Sequence, residues 1–167
     1  MKKNKIFNLI SFFALFHPFL LAQNIDNLVL EPGFKISIFA ENLSSPRQIA
    51  QGKNGTIFVG ERTGQIIALT DTDKNGQADE KKVIAEGLEY STGVSIFNGD
   101  LYFSEISKIW KIEDIESWLN KNNSKLDLPK KILVTDQLPD DKWHGWKWLK
   151  HDEQGGLYLN VGAPCNI

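Results

Sequence analysis

One histidine, His144, stands among three tryptophans in the segment DKWHGWKWLK, residues 141–150. Histidine gains and loses a proton near neutral pH, so in an accessible loop beside a glycine it can act as a general base. Trp143, Trp146 and Trp148 offer flat apolar faces, suited to a sugar ring or a planar cofactor and equally to core and rim packing. Trp146 and Trp148 are two apart, which on a strand would put them on one face. A packed or rim histidine is the bland alternative for His144, and residue types alone leave both open.

A second cluster lies in DTDKNGQADE, where Asp71, Asp73, Asn75, Gln77 and Asp79 fall at positions one, three, five, seven and nine. Oxygens at that spacing, with Gly76 making the sharp turn, form the first half of a calcium loop. Position twelve is Lys82 instead of a bidentate glutamate, so a helix-loop-helix is not expected and Asp79 or Glu80 must complete the shell. The alternative is an Asp/Asn/Gly hairpin without metal. The chain has no phosphate-cradling glycine loop, zinc spacing or serine-nucleophile elbow.

The elements that position these residues repeat. GTIFVGE from Gly55, GDLYFSE from Gly99 and GLYLNVG from Gly156 are strands rich in β-branched and aromatic residues, with Leu101 offset by 44 positions from Ile57 and Leu157 by 56 from Leu101. The excess lies in the polar segment 116–129, read as a surface insertion with one helical turn at 114–119. Strands are predicted at 48–52, 56–61, 65–70 and 81–86, then at 93–97, 100–104, 108–112 and 131–135. Such periods, with about four short strands each, indicate an all-β fold: a partial β-propeller of about two and a half four-stranded blades out of six. Residues 34–40, FKISIFA, alternate and are expected to add an outer strand to the last blade. An open third blade predicts a poorly stable fragment. Strand reversal puts the loops at 44–47, 62–64, 89–92, 139–145 and 162–166 on one face, with His144 at the channel mouth, and the 71–80 loop on the other.

The N-terminus has Lys2, Lys3 and Lys5, then an apolar run over 6–22 broken by Asn8, His17 and Pro18 and ending at Ala22. This predicts a secretory signal over 1–22, a propeller portion over 23–167, periplasmic or secreted localisation, and no stable membrane span after cleavage. Loss of the three lysines changes 19 basic against 21 acidic residues to 16 against 21, a net −5 that argues against nucleic acid. Cys165, the single cysteine, has its partner beyond Ile167 or is a buried thiol.

Taken in order, Pro32-Gly33-Phe34, Pro46-Arg47-Gln48, NGTIFVG, DTDKNGQADE, GDLYFSEI, HGWKW and VGAPCN resemble the pyrroloquinoline-quinone (PQQ)-dependent glucose/sorbosone dehydrogenases, most of all the sorbosone branch. The resemblance implies a six-bladed propeller in an exported bacterial enzyme that oxidises a sugar or sugar aldehyde and passes electrons to an unidentified acceptor. It implies that His144 takes the substrate hydroxyl proton while hydride passes to PQQ, polarised by calcium. It also implies that the cofactor-binding residues lie beyond Ile167. An aspartate that assists the base in the glucose branch is replaced by Gly162-Ala163-Pro164, and a glutamine by the region of Ser91. Two other readings remain: a propeller that binds a glycan or protein without chemistry, and a calcium-dependent lactonase with Glu61 and Glu105 at the mouth.

Overall fold

The computed structural model describes residues 25–121 and 127–163. The 1–22 segment, Cys165 and the middle of the 116–129 insertion lie outside them. The chain divides into two units, Met1–Ser37 and Ile38–Ile167. In the first, a 3-10 turn over Ile25–Asn27 is closed by Leu28 N donating to Ile25 O at 3.1 Å, and Phe34 N donates to Glu31 O at 3.2 Å.

The second unit holds two four-stranded antiparallel sheets and a hairpin. The first sheet is β1 (Pro46–Gln51), β2 (Ile57–Glu61), β3 (Gln65–Thr70) and β4 (Glu80–Ala85), paired in chain order. The second is β5 (Val94–Phe97), β6 (Asp100–Ser104), β7 (Ile109–Ile112) and β8 (Ile132–Thr135), with helix α1 (Ile115–Lys121) before its last strand. β9 (Leu149–His151) and β10 (Leu157–Leu159) pair as the beginning of a third. These are the two and a half blades of a β-propeller.

Period-two alternation explains the packing. Phe58, Ile66 and Ala68 face the second sheet and join Ile84, Val94, Leu101, Phe103 and Ile112 in one core; Val59, Ile67 and Leu69 form the opposite face. Truncating a fully buried phenylalanine such as Phe58 in such a core costs roughly 3–5 kcal/mol. Phe39, Ala40 and Leu43 cover the second face. Residues 34–40 pair with none of these sheets, and the last blade, to which they are expected to add a strand, is not among the described elements. Their apolar positions at 39 and 40 are satisfied by packing, with one backbone bond from Ala78 N to Phe39 O at 2.8 Å and no ladder.

The innermost strands β1, β5 and β9 are tied by side chains. Gln48 Oε1 accepts from Val94 N and Leu149 N at 3.2 and 3.0 Å, and its Nε2 donates to Leu149 O at 2.7 Å. On the far side, Glu116 of α1 accepts Asn54 N on both carboxylate oxygens at 3.1 Å, docking the helix on the β1–β2 turn.

His151 seals the junction of the second sheet and the hairpin. Its ring stacks on Phe97 with centroids 5.2 Å apart, and Nδ1 lies 2.9 Å from Ser95 Oγ. Burial lowers its pKa below the ordinary histidine value, with Asp152 opposing weakly. The unfolded chain therefore binds a proton more readily. Stability is unaffected above about pH 6.5 and falls as pH drops below it, since the folded form resists protonation. Melting curves between pH 7.5 and 5 should show this loss in wild type and a smaller loss in His151→Phe; equal slopes would refute the assignment.

Candidate functional site

The mouth is built from a loop that occurs three times. The loop leading into each inner strand carries a residue in the left-handed region: Ser45 with φ 63°, Tyr90 with φ 48° and His144 with φ 59°. In the first two sheets a glutamate ending the second strand clamps this loop. Glu61 Oε1 accepts Ser44 N at 2.7 Å, and Glu105 Oε2 accepts Glu89 N at 2.8 Å. The residues that follow return backbone bonds, Arg62 N to Ser45 O at 3.1 Å and Ile106 N to Glu89 O at 3.3 Å.

The third copy has Gly162 where the others have glutamate. A Cβ there would meet the carbonyl oxygen of His144 and come within 2.9 Å of its Cβ. Removing the clamp and its side chain lets the loop settle directly on the strand end. His144 is exposed, and its Nδ1 lies 3.2 Å from Ala163 O. A carbonyl only accepts, so Nδ1 carries the hydrogen and Nε2 holds the lone pair. A backbone oxygen thus orients the imidazole where the resemblance leads one to expect an aspartate.

Two further side chains hold this loop. Asn160 Oδ1 accepts Trp148 N at 2.6 Å and its Nδ2 donates to Trp146 O at 3.2 Å, replacing ladder bonds. That is why β9 starts only at Leu149, so Trp146 and Trp148 do not share a strand face as expected. Lys147, 1% exposed, donates from Nζ to Gly145 O, and burial lowers its pKa. Thr92 Oγ1 donates to Lys147 O at 2.9 Å. None of Asn160, Gly162 or Lys147 stands out in the sequence; the only signal is the break in the glutamate repeat at 162.

Around His144, Trp143 is 68% exposed with its ring 5.2 Å from the imidazole, and Trp146 is half-buried under Arg62 and Arg47. Glu61 and Glu105, on which a metal-lactonase reading depends, are buried and committed. Besides the loop amides, Glu61 Oε2 accepts Thr63 Oγ1 at 3.4 Å and Glu105 Oε1 accepts Trp110 Nε1 at 2.6 Å. Neither carboxylate is presented to the mouth.

The acidic loop lies at the other end of β3 from Arg62. Asp71, Asp73 and Asp79 each bring a carboxylate oxygen to within 4.8 Å of the others. Asp71 accepts Asn75 N at 3.1 Å and Gly76 N at 2.9 Å, Asp73 accepts Asn75 N at 3.1 Å, and Asn75 Oδ1 accepts Gln77 N at 2.8 Å. Asp79 Oδ2 accepts Thr72 Oγ1 and N, and these bonds hold its pKa below the ordinary carboxylate value. Three carboxylates drawn together around a left-handed Gly76 suit a hard cation. For calcium at a hundredfold its Kd the gain is about 2.7 kcal/mol. Asp73→Ala should then lower Tm in calcium but not in chelator. Identical wild-type melting curves with and without millimolar calcium would reduce the loop to a hairpin.

Solved structures share this fold. A carbohydrate-active enzyme of family AA12 from Trichoderma reesei superposes with TM-score 0.64 at 17% identity, over 82% of this chain and 35% of that one. The PQQ domain of pyranose dehydrogenase from Coprinopsis cinerea gives 0.59 at 19% identity, over 75% and 29%. At these identities the likeness is one of fold: that of PQQ-domain propellers. An uncharacterized protein of Borreliella burgdorferi is 29% identical over 171 residues, 98% of this chain. The chain spans 44% of that relative's length. Residues 22–118 match the family described as a domain of unknown function, DUF7133. Because that match takes in more than half of its residues, the chain belongs to the DUF7133 family.

Proposed function

We propose that this chain is the N-terminal part of an exported, PQQ-dependent sugar or sugar-aldehyde dehydrogenase, close to the sorbosone branch, with His144 as its general base. The carrying observation is the His144 ring, exposed at the mouth with Nδ1 turned to Ala163 O and Nε2 left to accept a proton. The exposed Trp143 face beside it fits a planar cofactor, which when bound supplies the two-electron acceptor. His144 takes the substrate hydroxyl proton at Nε2, and the Ala163 carbonyl stabilises the imidazolium by keeping its bond to Nδ1–H. The Asp71 loop holds calcium as a structural ion. Sec-type export through residues 1–22 places the enzyme in the periplasm or outside the cell, and no described helix is long and apolar enough to cross a membrane.

The test is turnover by the full-length protein supplied with PQQ, calcium and an artificial electron acceptor, against a panel of aldoses and sugar aldehydes. PQQ-dependent dye reduction with at least one substrate supports the reading. Binding of a sugar without dye reduction favours a propeller that recognises glycans through Trp143 and Trp148.

A further inference from the structure

Two guanidinium groups at the mouth have aromatic partners and no acidic ones. Arg62 Cζ lies 4.3 Å from the Trp146 ring centroid and 5.5 Å from that of Tyr90, and Arg47 Cζ lies 5.4 Å from Trp146. Among the described residues neither forms an ion pair. The acids nearby are spent: Glu89 pairs with Lys142 at 2.7 Å, and Glu61 and Glu105 are buried on backbone amides. Stacking occupies the flat face of a guanidinium and fixes its plane while leaving N–H donors at its edge, and that edge is what binds a carboxylate in bidentate fashion.

The aromatic side chains divide the work. Trp146, already paired with both arginines, is committed to orienting them. Trp143 keeps a free surface beside His144. A chain of formal charge −2, or −5 without its first 22 residues, repels anions in general, so an unpaired basic rim is a local exception with a specific use.

We propose that the mouth takes a sugar bearing a carboxylate, of the uronate class, with the acid held by Arg62 and Arg47 and the ring lying over Trp143 beside His144. The choice of a sugar rests on the dehydrogenase reading; the recognition of a carboxylate rests on the two arginines. A carboxylate matched in bidentate fashion to an arginine fork separates acidic from neutral sugars by about tenfold.

Calorimetric titration of the full-length protein, without quinone, compares glucuronate, glucose and glucose 6-phosphate. Glucuronate should bind at least about tenfold more tightly than glucose, and more weakly as salt is raised. Arg62→Gln should bring glucuronate to the level of glucose, with Arg62→Lys in between because charge survives and the fork does not. Circular dichroism melting establishes that each variant is folded. Equal affinity for glucuronate and glucose in wild type overturns the proposal, as does a preference for the phosphate. So does an Arg62→Gln protein that keeps glucuronate but, in a separate titration with PQQ, no longer binds it, which would assign the arginines to the cofactor. Since the titration needs no turnover, an inactive protein that still selects glucuronate sinks the dehydrogenase reading and leaves this one standing.

Discussion

Replacing His144 with alanine in the full-length, cofactor-loaded protein is expected to lower kcat by about two to four orders of magnitude while PQQ still binds. Under the proposed mechanism the general base is a role that none of the neighbours described can assume. Lys147 is buried on Gly145 O, Glu61 and Glu105 are turned inward, and Trp143 has no basic atom. Added imidazole should restore part of the rate. Quinone absorbance reports cofactor binding separately from turnover. Wild-type kcat in the mutant would reduce His144 to a rim residue.

The second large effect belongs to Gly162, which touches no substrate. A methyl group there runs into the backbone of His144, so the loop must shift to accept it. Displacement of a catalytic group by about 1 Å costs roughly a hundredfold in rate, and overpacking at a close approach costs about 1–3 kcal/mol. Gly162→Ala should therefore lose activity out of proportion to stability. Gly55→Ala is the contrasting control: a Cβ meets nothing within 4 Å, but φ is +94°, so it should cost stability alone. If Gly162→Ala keeps wild-type kcat at a lowered Tm, the contact supports the fold and nothing more.

The blades were legible because their strands carry their own signature. Phe58 and Val59, or Ile66 and Ile67, send alternate side chains to opposite cores, and the periods of the Gly55 and Gly99 strands coincide. The acidic loop was legible because all its oxygens lie within nine residues. In residues 34–40 the alternating apolar side, Phe34, Ile36 and Ile38, is exposed, and the blade it is expected to join is not among the described strands. His144 was legible as a residue type in a suggestive place, but not the means by which it is held. Ala163 and Gly162 reach it, and Asn160 reaches its loop, from the segment after β10, and Arg47, Arg62 and Trp146 meet from three separate segments. Such convergence has no spacing that a single sequence can reveal.

Ser45, Tyr90 and His144 share one backbone conformation at one place in successive loops. The left-handed turn beneath the imidazole is therefore issued by the scaffold and is no distortion reserved for chemistry. A histidine accepts that turn more readily than most residues. What singles out position 144 is the partner opposite, Gly162 in place of Glu61 or Glu105. Histidine at 90 and glycine at 105 would copy the turn and the missing clamp a blade earlier, but not the Asn160 bonds to Trp146 and Trp148 or the Ala163 carbonyl that orients the ring. The turn is thus common to three loops, and what is particular to position 144 lies in the residues that meet it from the segment after β10.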